Sequence, residues 1–341
     1  MIHLRFRQHG GVAVRKVPLY PLLVLLLTGV GGYLGCDPSS ITTPLNPVNN
    51  SGGPQVQLTQ MIPARTVNTI LVASFNLQRL GPSKLKSNWT MDRLVEIIRQ
   101  FDVIALQEIT DQSEQALPQL VQRVNQSGAR YSMAVSPRVG RAASGYYEQY
   151  AFVFDTDRIA GGQQYCYLVQ DQNDYLHREP FVGRFATRTN QPFTFTLVNV
   201  HTDPDEVREE LNHLARLLNE IRNFEYPEDD VLLLGDLNAK PGQLQGLDQI
   251  PGLESLIQLP TNARKNKTLD NILIDRRLTT EMTGRAGTMD LERMFGVSMN
   301  EVLQISDHLP VWAEFIVNEN ASAVPPRTAS LDQGNYQYPI R

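Results

Sequence analysis

An α/β fold is predicted by three features of the chain. Short apolar runs recur between residues 67 and 317, amphipathic helical stretches lie between several of them, and carboxylate, amide or imidazole residues stand repeatedly at the ends of the runs. Strands are expected at 70–74, 103–106, 151–154, 181–187, 193–200, 231–234, 271–274 and 310–315, with Thr189-Asn190-Gln191-Pro192 turning a hairpin between the fourth and fifth. One helix is expected over residues 91–100, with Thr90 as N-cap and Leu94, Ile97 and Ile98 on one face. A second is expected from about residue 205 to 223, where Val207, Leu211, Leu214, Leu217, Leu218 and Ile221 form an apolar stripe. Such a stripe buries itself in a core and is not a binding surface. Alternation of this kind is compatible with a doubly wound parallel sheet as well as with other α/β layerings.

The 341 residues, 41% hydrophobic, suffice for one large domain or two small ones. The formal net charge of -5 conceals an asymmetry: residues 1–66 carry five Lys or Arg and one acid, Asp37, whereas residues 67–317 carry 24 basic and 33 acidic side chains. A body this acidic does not attract polyanions by its overall field, so any nucleic-acid contact must rest on local basic clusters and bound metal. Residues 1–36 read as an export signal, with Arg5, Arg7, Arg15 and Lys16 ahead of an uncharged stretch whose apolar centre is Leu22 to Leu27. Tyr33-Leu34-Gly35-Cys36 resembles a bacterial lipoprotein processing site, with Tyr33 where Leu is usual. Secretion into the periplasm or medium after cleavage is one rival; an uncleaved anchor of roughly 20 residues is the other. Residues 37–66 and 318–341, rich in Ser, Thr, Pro, Asn, Gly and Gln, read as a disordered tether and tail around a catalytic domain at 67–317. A single domain of this kind is expected to be a monomer.

The polar positions are Asn76, Glu108, His201, Asp236 with Asn238, Asp270, and Asp307 with His308. Any one of them is an ordinary strand-ending residue. Together they suggest a site: oxygen donors suit Mg2+, Mn2+ or Ca2+, and two imidazoles near a metal can serve as base and acid.

The strings SFN, LQE, HREP, VNVHTDP, LLGDLNA, TLDNILI and SDHLPVW, in that order, resemble the endonuclease/exonuclease/phosphatase superfamily over roughly residues 70–316. Gly145-Tyr146-Tyr147-Glu148-Gln149-Tyr150 and Arg178-Glu179-Pro180 are similar to segments of its deoxyribonuclease I branch. The resemblance implies a two-sheet β-sandwich flanked by helices on both outer faces. It implies Mg2+ or Mn2+ as cofactor, with Ca2+ a further candidate. Glu108 matches the principal metal carboxylate, and Asn76, Asp236 and Asp307 match further metal or phosphate-positioning groups. Asn238 matches an amide that hydrogen-bonds the phosphate. His308 is expected to be oriented by Asp270 and His201 by Glu148, with His308 the base and His201 the acid, or the reverse. Arg178 would stabilise transition-state charge unless it merely pairs with Glu179, and Tyr146 matches a DNA-stacking tyrosine.

The implied activity is an exported endonuclease acting on DNA. Alternatives are a phosphodiesterase or phosphatase acting on phospholipid head groups, inositol phosphates or nucleotides, and a noncatalytic surface module. Thr110 stands where the branch places an arginine that reaches into the DNA minor groove, which weakens the case for double-stranded DNA, and Gln78 is a second departure although Arg79 follows it. Only Cys36 and Cys166 are present, so the branch's disulfides are missing, and Cys166 is expected to be a small buried residue and not a nucleophile.

Overall fold

The computed structural model describes residues 57–225 and 228–319, without the Leu58 side chain. The expected export signal, Cys36 and most of the expected tether and tail lie outside the described residues. In chain order the strands are β1 (Gln57–Thr59), β2 (Thr69–Leu80), β3 (Val103–Ile109), β4 (Tyr131–Val135), β5 (Gln149–Asp155), β6 (Ile159–Ala160) and β7 (Cys166–Leu168). They continue with β8 (Phe181–Thr187), β9 (Thr194–His201), β10 (Val231–Asp236), β11 (Leu253–Ser255), β12 (Asp270–Asp275), β13 (Met282–Thr288) and β14 (Val311–Ile316). The α-helices are α1 (Pro82–Leu85), α2 (Asn88–Ile98), α3 (Ala116–Asn125), α4 (Val207–Phe224), α5 (Leu291–Phe295) and α6 (Met299–Ile305).

Two mixed sheets form, ordered β1-β13-β14-β2-β3-β5-β4 and β11-β12-β10-β9-β8-β6, with β7 also paired to β8. The strand runs look continuously apolar because both faces are covered. Ile70, Val72, Val103 and Ala105 of one sheet meet Phe195, Leu197, Leu232, Leu234 and Ile272 of the other in a shared core. The alternate residues Leu71, Ala73, Phe75, Ile104 and Leu106 turn outward under α2, α3 and α6. On the second sheet, Val198, Val200, Val231 and Leu233 turn outward under α4. This is the flanked two-sheet sandwich, and the antiparallel pairs in both sheets exclude the doubly wound parallel alternative.

The hairpin forms as expected, with β8 antiparallel to β9. The stripe of α4 is buried at Leu211, Leu214, Leu218 and Ile221, while Val207 and Leu217 pack only partly. The first helix begins earlier than its pattern suggests: Ser87 is the N-cap, its hydroxyl accepting from the Thr90 amide at 3.2 Å, and Thr90 is buried in the first turn. Other elements carry disguised patterns. Pro118 sits in the first turn of α3, where an amide has no intrahelical partner to lose, and β13 reads MTGRAGT, whose glycines obscure a strand.

The folded unit also begins before residue 67. β1 pairs in parallel with β13, where a Cβ on Gly287 would come within 1.8 Å of the Thr59 carbonyl oxygen. Arg65 ties this segment down, donating to Asp102 at 2.6 Å, to Asp155 at 2.5 Å and to the Tyr131 hydroxyl at 3.0 Å. Polar composition hid these contacts, since they run through one guanidinium and backbone. Replacing Arg65 by Ala leaves a fully buried Asp102 with Arg158 as its remaining ion-pair partner. The variant is expected to lose about 2–3 kcal/mol of stability, read from the urea midpoint.

Candidate active site

Chain direction gathers the polar positions. β2 runs parallel to β3 and β9 parallel to β10, so Asn76 at the register shift in β2, Glu108 next to the end of β3, and His201 and Asp236 as the last residues of β9 and β10 lie towards the C-terminal ends of their strands. β5, β12 and β14 run antiparallel to these neighbours, which brings Glu148, Asp270, Asp307 and His308 to the same edge from the starts of strands. Gly235 permits the close approach there, because a Cβ would lie 1.9 Å from the Val200 carbonyl oxygen. Glu108 has φ 57° at a register shift between β3 and β5, and Asn238 has φ 48° just beyond β10. Non-glycine residues adopt such backbone at a cost, and a bulge re-aims the side chain it carries.

The two imidazoles are arranged alike. His201 Nδ1 lies 3.0 Å from Glu148, and His308 Nδ1 lies 2.9 Å from Asp270. Each Nε2 lies 3.6 Å from the same oxygen, Oδ2 of Asp236. Asn76 Nδ2 donates to Asp236 and to Glu108, each at 3.0 Å. Tyr146 donates its hydroxyl to Glu108 at 3.2 Å. Asp307 Oδ1 lies 3.9 Å from His308 Nε2. Asn238 Nδ2 donates to the Thr202 carbonyl at 3.0 Å.

Arg178 does not pair with Glu179. It is buried, donates to the carbonyls of His201 at 3.0 Å and Thr202 at 2.9 Å, and has Glu148 and Asp203 about it at 4.0 and 3.9 Å. The guanidinium groups of Arg79 and Arg178 lie 5.7 and 5.9 Å from the Tyr146 ring centre. These groups line an open cleft of about 530 Å³ with Gln78, Lys84, Glu108, His201 and Asp307. Arg141 is engaged by Asp174 and Glu206, and Lys265 by Asp290 and Glu292, whereas Arg264 and Lys267 are exposed. Cys166 is half-buried and outside the cleft lining, with its thiol pushed up by burial to about 12.

Burial disfavours charge on His308, but Asp270, Asp236 and Asp307 outweigh it and raise the ring to about 10. His201 is likewise raised, burial being outweighed by Glu148 and Asp236. Conversely, His308 and His201 hold Asp236 below the usual carboxylate range despite its burial. The folded protein thus keeps a proton on His308 that the unfolded ring releases near 6.5. In EDTA the protein is expected to lose stability as pH rises from 6.5 towards about 10, with His308→Asn flattening that part of the melting profile.

Several residues at the site escaped the sequence reading. Lys84 inserts its ammonium between the carbonyls of Leu77 and Ile305, and burial lowers it to about 8 against the opposing pull of Glu108 and Asp307. Gln107 Nε2 donates to Ser74 at 3.0 Å and to Asn199 at 2.6 Å, while Asn199 Nδ2 donates to the Leu106 carbonyl at 3.1 Å. Gln107 and Asn199 were visible inside LQE and VNVH as polar residues in apolar strands, where an amide needs a partner. Nothing local signalled Lys84.

The profile of the Endonuclease/Exonuclease/phosphatase family matches residues 73–308, a span that includes both imidazoles and every carboxylate described above. The chain belongs to the endonuclease/exonuclease/phosphatase family. It is a phosphodiester hydrolase of that family, on its deoxyribonuclease I branch. Deoxyribonuclease-1-like 1 of Homo sapiens is 31% identical over 278 residues, covering 78% of this chain and 90% of the relative. The Sus scrofa protein of the same name is 32% identical over 260 residues, covering 71% and 80%. Deoxyribonuclease gamma of Mus musculus is 31% identical over 262 residues, covering 70% and 82%. The human Nocturnin catalytic domain has the same fold, with a TM-score of 0.50 at 18% identity over 73% of this chain and 93% of that one.

Family members depend on divalent metal, and the donor set here suits one. Glu108 and Asp307 present hard oxygens to one cleft. Asp236, Asp270 and His308 also place donor atoms within 4.8 Å of one another, but Asp270 and His308 already satisfy each other there.

Proposed function

We propose that this chain is an endonuclease dependent on Mg2+ or Mn2+ that hydrolyses DNA phosphodiester bonds by in-line attack of water. The observation that carries the reading is the single Asp236 oxygen 3.6 Å from both imidazoles, which brings two groups able to transfer protons against one anionic point. The relatives, named as deoxyribonucleases, support DNA as substrate.

Glu108 and Asp307 are the residues that would hold the cation, with Asn76 and Asp236 positioning around it. When bound, a divalent ion supplies Lewis-acid stabilisation of charge growing on the phosphoryl oxygens. His308 is the ring of the two that lies beside Asp307, one of the residues that would hold the cation. We assign it as base toward water and His201 as acid toward the leaving oxygen. Glu148 and Asp270 fix the tautomers, so that each Nε2 does the proton transfer. Arg178, held by two carbonyls, keeps a fixed positive charge at the cleft, and Asn76 and Asn238 add neutral donors. Tyr146 offers a ring on which a base or sugar can rest.

One feature favours a second reading, a small or lipid phosphodiester. Gln78, a departure from the branch's pattern, has its side-chain Oε1 engaged by the Asp307 backbone amide at 3.1 Å. Supercoiled plasmid, sphingomyelin, inositol phosphates and bis-p-nitrophenyl phosphate offered side by side to the protein, with Mg2+, Mn2+ or EDTA, separate the readings. Metal-dependent nicking of plasmid is the expected result; intact plasmid beside turnover of a lipid or small diester would move the substrate to the second class. Export, with lipid attachment at Cys36, belongs to the same proposal and rests on the sequence of residues 1–36, while a monomer is expected of a single catalytic domain. Mass spectrometry of the mature N-terminus and sedimentation test it.

A further inference from the structure

The connection between β4 and β5 forms a loop beside the cleft, closed at its base by the backbone pair of Val139 and Glu148 at 2.8 and 3.0 Å. Tyr146 hangs from this loop with its ring near Arg79 and Arg178, while Glu148 at the base reaches His201. The tip, Ala142 to Gly145, is exposed and has no side chain large enough to pack. Polar fastenings hold it instead, and they come from the other sheet. Arg141 pairs with Asp174 of the β7–β8 connection at 3.0 Å and with Glu206 of the β9–α4 connection at 2.6 Å. Ser144 Oγ lies 3.2 Å from His177 Nε2, and His177 Nδ1 lies 3.2 Å from Asp203.

The two fastenings are unequal. The Asp174 and Glu206 side chains are 68% and 43% exposed, so water and salt screen their pairs with Arg141. His177 and Asp203 are only 9% and 17% exposed, and their contact is shielded. Glu210 of α4 fixes that pair from behind, its carboxylate accepting from the backbone amides of His177 and, at 2.7 Å, Asp203. On the loop, Ser144 Oγ accepts from the Tyr146 amide at 3.2 Å and donates to the Arg141 carbonyl at 2.8 Å. The His177 ring therefore bears on the hydroxyl that sets the backbone of Tyr146. Glu148 depends on it less, being buried, bonded through its backbone to Val139 and paired with His201. The Tyr146 side chain has a hydroxyl bond to Glu108, which is also a residue that would hold the cation.

We propose that His177 is a positioning residue for substrate binding: through Ser144 it holds the loop that carries Tyr146, and so fixes the ring on which a nucleotide rests. The assignment rests on the nuclease reading for its substrate. His177 is not among the residues lining the cleft, so its loss should weaken binding and spare the chemical step. Every base has a face to lay on an aromatic ring, so the weakening should be alike for all DNA sequences.

Steady-state nicking of supercoiled plasmid, together with hydrogen exchange of the free full chain read by mass spectrometry, tests this. His177→Asn keeps a donor toward Asp203 and cannot reach Ser144, whereas His177→Gln sets an amide where Nε2 stood. His177→Asn and Ser144→Ala are expected to raise KM about fivefold or more with kcat within about twofold of wild type, and His177→Gln to restore most of the loss. In a Tyr146→Ala background, His177→Asn should change KM by less than about twofold, because both residues act through one contact. Amides of residues 140–147 should exchange about tenfold faster in His177→Asn, which leaves the Tyr146 amide its bond to Ser144, with exchange elsewhere unmoved. Unchanged exchange in that segment would overturn the fastening. Faster exchange with unchanged KM, or an equal effect of His177→Asn with and without Tyr146, would overturn the positioning role. Plasmid left intact by wild type would sink the nuclease reading instead, and the exchange comparison would still decide whether His177 holds the loop.

Discussion

His308→Ala is expected to lower the rate of metal-dependent plasmid nicking about 100- to 10,000-fold, with KM little changed. The ring has no neighbouring substitute. His201, the imidazole that lines the cleft, is committed through Nδ1 to Glu148 and shares only the Asp236 oxygen with His308. The removed ring carries a proton the folded protein holds tightly, with Asp270 oriented behind it. Truncation therefore removes a transfer group and strands a buried carboxylate. A drop below tenfold, in protein that still melts cooperatively, would remove His308 from the chemistry.

Asp236→Asn should be nearly as damaging, about 1,000-fold on the catalytic constant, while changing almost no volume. One oxygen of Asp236 receives the Asn76 amide and faces both imidazoles. Without its charge, each ring loses one of the carboxylates that raise it. Imidazole titrations followed by NMR in EDTA should show both rings titrating at lower pH than in wild type. That joint shift separates loss of a shared anion from a local packing defect, which would not move two rings together.

Much of this arrangement was legible from residues. Apolar runs located most of the long strands, and the strand-end rule located Asn76, Glu108, His201 and Asp236, because those strands are parallel and point towards one edge. Asp270 and Asp307 with His308 were singled out in the same way although they stand at the starts of β12 and β14, and Glu148, just before β5, reached the sequence reading through its motif. The engagement of Arg178 with two carbonyls was not readable, since it depends on where β9 ends in space. Nor was Lys84, whose partners are carbonyls 7 and 221 residues away. β1 was invisible because three residues, paired with Arg285, Ala286 and Gly287, are too short a run to leave an apolar signature.

The amide bridge of Gln107, Ser74 and Asn199 lies beneath a site whose halves belong to different sheets. Apolar side chains between two sheets tolerate small sliding, because contact area changes little along the interface. Hydrogen bonds tolerate far less, since they weaken steeply with distance and angle. The bridge therefore behaves as a dowel pin between two plates: it adds little holding force beyond the surrounding core but sets their alignment. Asn76 and Glu108 ride on one plate, His201 and Asp236 on the other, and an ångström of slip between them costs rate long before it costs the fold.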